Sequence, residues 1–533
     1  VNPNGARGIF SFTPRWTSSS TTAADGNAFA DFLLGFPTTG QVGLGRADLD
    51  ANTNWLHLYI QDAWQITPSF RFDIGLRYEF NQNMTDSQNR FAAIDTLFPG
   101  GRFVVASDED GNVTASPEML AQIPIPWVPS SSIGWNNSLL NTSYLRFAPR
   151  AGIAWTLPDR FKTVVRAGFG IYPNQAAYSI IHNFAQNLPF FVVKTVNTSP
   201  APTPAFSTPT ILTTNTLGNV GGANLDHRFL IEYNEVWNLN VEHELSPTTV
   251  VSAAYVGSWT VHADSATVLN VPEPGAGDIA PRRPIPQLSG ITTIRWDGWA
   301  NYQALMLKVA RRFSRNLLFD VNWTWSHSID DASDPGATAH ETNLPQDVGD
   351  LKAEKSESSF DHRHRLVANV VWPIPMGQGA TGWRQALLAD WQVGSAFAVQ
   401  SGAPLTINTA SDPANIGNGP AQRPNMNGDP NEGPKTPEQW FDTSVFSLPA
   451  PFTFGNAPRN AVVGPGLVSV DLSLQKAFSL TESVRLQWRT EIYNLFNRPN
   501  FNIPNRIAFT PNFGRISSAQ DSRQLQLALK LSF

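Results

Sequence analysis

The pattern of apolar and polar positions is clearest at the C-terminus. From Leu525 to Phe533 every odd position is apolar (Leu525, Leu527, Leu529, Leu531, Phe533), with Gln526, Ala528, Lys530 and Ser532 between them. Side chains alternate across a strand with period two, so this pattern predicts a strand with one oily and one polar face. Phe70–Phe80 repeats it, with Phe72, Ile74, Leu76 and Tyr78 against Arg71, Asp73, Gly75 and Arg77. Leu317–Ser326 alternates in the same way. So do Leu467–Phe478, with Asp471 on its polar side, and Val484–Asn494, with Arg485, Arg489 and Glu491 on its polar side. Weaker alternation marks Trp55–Ile66, Arg146–Thr156, Thr163–Tyr172, Asn234–His243, Thr249–Ser258, Tyr302–Phe313, Arg363–Trp372 and Leu387–Gln400. These make thirteen strands, and a fourteenth is expected around Gly40–Arg46.

Strand length and connection length then narrow the fold. Strands of about ten residues, rising ~3.3 Å each and tilted by about 40°, span roughly 25 Å, the height of an outer-membrane apolar band. Globular strands average only about five or six residues. Brief turns (67–69, 157–162, 245–248, 314–316, 479–483, and a longer one at 373–386) alternate with long polar stretches at 81–145, 173–233, 259–300, 329–362, 401–466 and 495–522. Short turns on one side and long loops on the other are expected of an outer-membrane barrel, whereas a sandwich or propeller has no such requirement. No repeat of 40–50 residues marks propeller blades. The fold class expected is all-β, a transmembrane antiparallel β-barrel with residues 13–38 as a short helical insert.

On this reading the polar rows holding Arg71, Asp73, Arg77, Asp471, Arg485, Arg489 and Glu491 face the lumen. Aromatics near strand ends, including Trp55, Trp64, Tyr78, Trp155, Tyr172, Trp325 and Trp372, form the interfacial girdles, because amphipathic rings favour the headgroup level. The alternative is a set of core aromatics in a soluble β-protein.

Composition removes several other classes. Only 15% of the 533 residues are charged while 11% are aromatic, the reverse of a disordered chain. The net charge of −6 leaves no basic excess for nucleic acid, so no nucleic-acid partner is expected. There is no cysteine, hence no disulfide framework, thiolate metal site or cysteine nucleophile. No apolar run approaches the ~18 residues of a membrane helix. Val1-Asn2-Pro3-Asn4 does not open a signal peptide, so the chain reads as a piece of a longer protein.

Candidate chemistry is sparse. Asp361-His362-Arg363-His364, with His327, Asp330, Asp331 and Asp334 at the other end of the same loop, could hold a divalent ion through Asp361, His362 and His364. The expected alternative is a loop-base network of charge-assisted hydrogen bonds with Arg363 and Arg365 as partners. Asp108, Glu109 and Asp110 beside Gly111-Asn112 read as a solvated acidic turn rather than a calcium loop. No HExxH, G-x-S-x-G, P-loop or G-x-G-x-x-G is present, so neither an enzyme nor a cofactor is expected.

Several segments also carry a family resemblance. Trp55-Leu-His-Leu-Tyr-Ile-Gln-Asp-Ala-Trp64 followed by Phe72-Asp-Ile-Gly-Leu-Arg-Tyr-Glu79 resembles a paired motif of TonB-dependent outer-membrane transporters. The segments Phe29–Pro37, Trp323–Asp331, Phe360–Arg365, Gln400–Thr406, Arg459-Asn460, Asn494–Asn500 and Phe513–Ser518 resemble the Oar-like subgroup. The resemblance spans nearly the whole chain and implies the C-terminal portion of a roughly 22-stranded barrel, with signal peptide, TonB-contacting segment and plug domain supplied by sequence not present here. It further implies an outer-membrane location with lipid around the barrel. The implied partners are the protein's own plug, the TonB complex and an extracellular solute, taken up by energised transport. Leu525, Leu527, Leu529, Leu531 and Phe533 then resemble the signal read by the outer-membrane assembly machinery. The rival functions are a passive porin or adhesin-like barrel and a secreted soluble β-protein.

Overall fold

The computed structural model describes residues 8–13, 15–18, 26–45, 48–144, 146–174, 181–197, 222–314, 317–377, 379, 381–481 and 483–533. Its dominant element is one fifteen-stranded sheet, of which thirteen strands succeed one another along a single path and two short ones lie off it. In chain order the thirteen are β1 (Trp55–Thr67), β2 (Phe70–Asn81), β3 (Phe147–Thr156), β4 (Thr163–Pro173), β5 (Tyr233–Ser246), β6 (Thr249–Leu269) and β7 (Ile291–Ser314). They continue as β8 (Leu317–Asp330), β9 (His364–Pro373), β10 (Trp391–Gln400), β11 (Leu467–Ser479), β12 (Arg485–Tyr493) and β13 (Gln524–Ser532). Each pairs antiparallel with its neighbours in sequence, an up-and-down meander. Among the described residues β1 and β13 pair on one side only and form the two edges of the sheet.

The registers carry the alternation from strand to strand. Trp64 lies opposite Phe72, which lies opposite Ile153; Leu305 lies opposite Trp325; Leu474 opposite Thr490; Ile492 opposite Leu525. Directly opposed residues share a face of the sheet, so the apolar rows merge into one face running from β1 to β13. Among the described residues no second protein layer covers it. Ile60, Leu76, Leu239, Leu307, Leu527 and Leu529 are all exposed, Leu529 to 71%. Gly257 fits this face because Trp237, directly opposite, lays its indole across the space a Cβ would take. Exposed apolar patches on soluble monomers rarely exceed a few hundred Å²; a face spanning thirteen strands requires lipid as its solvent.

The buried cores lie in the long connections instead. Phe91, Leu139, Leu140, Phe184 and Trp296 belong to one cluster, Ile94, Phe103, Leu188 and Leu288 to a second, and Leu405, Phe441, Phe446 and Val462 to a third. The third is closed by edge-to-face rings, with Phe441 and Phe513 centroids 5.2 Å apart. The loops are therefore folded bodies at one end of the sheet.

Three sequence expectations need correction. Thr39–Gly45, which contains most of the expected fourteenth strand, pairs with Ile9–Ser11 and Phe191–Asn197 in a separate small sheet. Its glycines at 40, 43 and 45 leave no apolar row to present to lipid. The stretch 259–300 is not wholly loop, since β6 and β7 run on through Leu269 and from Ile291 into the loop bodies. Leu387 and Leu388, expected to open a strand after the 373–386 turn, instead end a short helix over Trp383–Leu388, and the strand begins at Trp391. Within 13–38, the helix Ala28–Leu34 is set by Asn27, whose side chain accepts from the backbone of Phe29 and Ala30, and by Gly35 in a left-handed conformation (φ 72°).

Candidate functional site

The polar face of the sheet holds its charges in short ladders. On β2, Arg71 Nη2 lies 2.7 Å from Asp73, and Arg77 pairs with Glu79, each two residues along the strand. On β12, Arg489 Nε lies 3.1 Å from Glu491, and between β4 and β5 Arg166 reaches Glu242 at 3.4 Å. Asp471 accepts from the backbone N–H of Asn494 at 2.9 Å, and Arg485 shares the face opposite Ser532. Period two places i and i+2 side by side, so opposite charges at that spacing satisfy one another without a partner strand.

The aromatic residues divide between the faces. Trp64, Tyr78, Trp155, Trp325 and Trp372 lie on the apolar face. Trp64, Trp155 and Trp372 stand near the short turns, Tyr78 and Trp325 nearer the loops. Trp55 and Tyr172 are corrections. Trp55 opposes Asn81 on the polar face, and Tyr172 opposes Asn234 there, with the Arg150 guanidinium 4.4 Å above its ring. Both expectations relied on closeness to a strand end, but the side a residue faces is fixed by its parity in the register.

At the loop end of β8 a buried ion network ties distant segments together. Arg459, from the 401–466 connection, directs Nε to Glu341 Oε2 at 2.7 Å, pairs with Asp330 through Nη2, and donates Nη1 to the Glu354 carbonyl at 2.6 Å. Arg423 grips the Glu354 carboxylate with two bonds of 2.6 and 3.1 Å. All five side chains are 5% exposed or less.

Next to this network the histidine motif forms part of a loop base. Asp361 accepts from the Ser328 N–H at 2.7 Å, Arg363 pairs with Glu357, and His362 uses both ring nitrogens, on the Ser401 carbonyl and the Gln400 amide, each at 2.8 Å. Burial raises the Asp361 carboxyl above its usual range. His364 is on the other face, stacked on Trp323 at 5.8 Å. Asp361, His362 and His364 therefore diverge, and among the described residues no three His, Asp or Glu side chains are disposed to hold a metal ion. The expected partner Arg365 is displaced: it lies on the polar face opposite Thr324, and Arg459 holds Asp330 instead.

Between the network and the ends of β6 and β7 lies a cavity of about 400 Å³, lined by Thr267, Trp299, Asp331, Glu341, Asn343 and Arg423 among others. The Asp331 carboxyl accepts from the Trp299 N–H at 2.9 Å, and burial pushes its pKa up to about 6. Glu341, Glu354 and Arg423 belong to no sequence motif. The traces of this site in the sequence are Asp330 and Asp331, named among the loop-end carboxylates, and the family-like segments Trp323–Asp331, Gln400–Thr406 and Arg459-Asn460.

Comparison with known proteins follows from this architecture. No curated protein matches the chain. Solved structures similar in fold include the outer membrane transporter YddB from Escherichia coli (10% identity, TM-score 0.46, covering 93% of this chain and 50% of that one). Others are the pyoverdine outer membrane receptor FpvA from Pseudomonas aeruginosa (10%, 0.45, 91% and 43%) and the siderophore receptor PiuA from Acinetobacter baumannii (10%, 0.41, 93% and 44%). The chain thus spans half the length of these structures or less. A family model described as outer membrane beta barrel domain matches residues 1–526, in keeping with the lipid-requiring face and the alternating turns and loops, and the chain belongs to that family.

Proposed function

We propose that this chain is the barrel portion of an Oar-like TonB-dependent transporter, taking up a bulky solute across the outer membrane with a plug and a TonB-contacting segment supplied by the rest of the protein. The observation that carries this reading is the folded cap. Long connections packed around their own apolar cores and fastened by Arg459 suit capture of a solute at the outer surface. An open diffusion pore has no use for a fixed, water-excluding body at its mouth. The laddered charges of the polar face suit a lumen that surrounds a removable plug, because each pair remains satisfied whether or not the plug is seated. In the same reading Trp64, Tyr78, Trp155, Trp325 and Trp372 are girdle residues, and the apolar row ending at Phe533 is the assembly signal.

The passive-porin alternative is separated by proteoliposome swelling. A full-length, plugged protein is expected to give no osmotic swelling with small neutral solutes, and surface binding of its solute in cells is expected to persist without TonB while uptake stops. Swelling at porin-like rates, or uptake indifferent to TonB, overturns the proposal.

A further inference from the structure

The turn joining β9 to β10 is longer than the other turns on its side of the sheet, and it holds the helix Trp383–Leu388. Every residue of that helix is exposed, Trp383 to 72%, Leu387 to 57% and Leu388 to 40%. Isolated helices shorter than about twelve residues are marginal in water, and this one keeps its apolar side chains outside the protein. Its C-terminal end is nevertheless fastened. The Trp391 indole N–H donates to the Leu387 carbonyl at 2.9 Å, and the Lys476 ammonium donates to the Ala389 carbonyl. Gly377 (φ 73°) approaches the same end so closely that a Cβ there would stand 2.8 Å from the Ala389 nitrogen.

The two side-chain donors fix which side of the sheet the helix occupies. Trp391 opposes Lys476, Lys476 opposes Trp488, and Trp488 opposes Leu529, so this row belongs to the lipid-facing side. Side chains on that side hold the helix by its carbonyls and draw it toward lipid. Lys476 is only 2% exposed, with the Trp391 and Phe478 rings 5.3 and 4.8 Å from its ammonium. A cation on a lipid-facing row is tolerated near the headgroups, and aromatic faces favour it further. The Lys476 row thus marks the edge of the apolar band on the short-turn side, and the helix leads away from it at headgroup depth. Trp383 and Leu387, four residues apart, share one side of the helix. Arg384 is the only charged residue from Pro373 to Ala389, and its guanidinium lies 5.5 Å from the Trp383 ring. Tryptophan and leucine beside a single cation match the boundary between acyl chains and phosphates.

We infer that Trp383–Leu388 is a membrane foot, an interfacial helix seated in the periplasmic leaflet of the outer membrane, with Trp383 and Leu387 among the acyl chains and Arg384 on a phospholipid phosphate. Its surface continues the lipid-facing side of the sheet, which makes phospholipid its occupant. The inference needs only the outer-membrane location and is independent of TonB coupling.

Because these 533 residues contain no cysteine, a nitroxide can be attached through Leu387→Cys and, for comparison, through Thr481→Cys in the 479–483 turn. Both positions are exposed, so the sheet is expected to assemble normally. The full-length protein is reconstituted in vesicles of phosphatidylethanolamine and phosphatidylglycerol, with a water-soluble nickel chelate on both sides of the membrane. Power-saturation EPR is the readout. The Leu387→Cys label is expected to collide with lipid-dissolved oxygen more than with nickel, and the Thr481→Cys label is expected to show the reverse. Adding Arg384→Glu, which sets a like charge against phosphate, is expected to raise nickel access at the Leu387→Cys label toward that at Thr481→Cys. Three results overturn the inference: equal nickel access at the two labels, exclusion of both agents from the Leu387→Cys label (as a covering protein partner would give), or no effect of Arg384→Glu.

Discussion

Replacing Arg459 with Ala is the most direct test of the loop cap. The substitution removes the shared partner of two carboxylates, Asp330 and Glu341, that are 1% and 2% exposed, together with a donor to the Glu354 carbonyl. Water cannot readily reach either carboxylate, so both become uncompensated buried charges, a change worth about 3–5 kcal/mol. At about 1.4 kcal/mol per tenfold, the opening equilibrium of the cap is expected to rise by roughly two to three and a half orders of magnitude. The sheet itself holds no part of this network beyond the end of β8, so the loss is local. Hydrogen-exchange mass spectrometry of the full-length protein in detergent is the assay. Residues 329–362 and 401–466 are expected to lose protection, while β10 to β13 keep theirs. A companion triple variant, Arg459→Met with Asp330→Asn and Glu341→Gln, removes the charges together and is expected to regain most of the protection. Unchanged exchange in Arg459→Ala, or a triple variant as open as the single one, refutes the assignment of the network as the fastening of the cap.

Three further outcomes follow from the same geometry. Leu527→Arg puts a charge in the middle of β13 on the apolar face and is expected to cost about 2–4 kcal/mol in a bilayer, whereas Gln526→Arg on the opposite face is expected to be tolerated; equal urea midpoints in vesicles contradict the facing. Deleting Phe533, the 96% exposed final residue of the apolar row, is expected to impair outer-membrane assembly of the full-length protein in cells without altering refolding into detergent; normal insertion contradicts the signal reading. Asp331 is neutral in the folded cap up to about pH 6 but ionises near 3.8 when exposed, so its ionisation opposes folding. Its destabilising contribution is absent below pH 3.8, grows between there and 6 and is complete above; Asp331→Asn is expected to flatten that part of the pH dependence of cap protection, and an unchanged profile argues against it.

Much of the architecture follows from the sequence alone, because strand alternation is a local property. The rows through Phe72–Tyr78 and Leu525–Phe533 mark their two faces from residue order, and the thirteen strands read from such rows are the thirteen along the path of the sheet. Length, aromatic content and the alternation of turns with long connections pointed from there to a membrane. Parity also put Arg71, Asp73, Arg77, Asp471, Arg485, Arg489 and Glu491 on one side. What the order of residues could not decide is whatever depends on partners far apart in the chain. Tyr172 faces Arg150 rather than lipid because register, not closeness to a strand end, sets its side. Arg459 meets Asp330 across 129 residues, and Thr267, Glu341, Asn343 and Arg423 meet at one cavity from three connections, none of them carrying a local motif. A strand writes its solvent into every second residue; a loop site exists only once the loops have folded against one another.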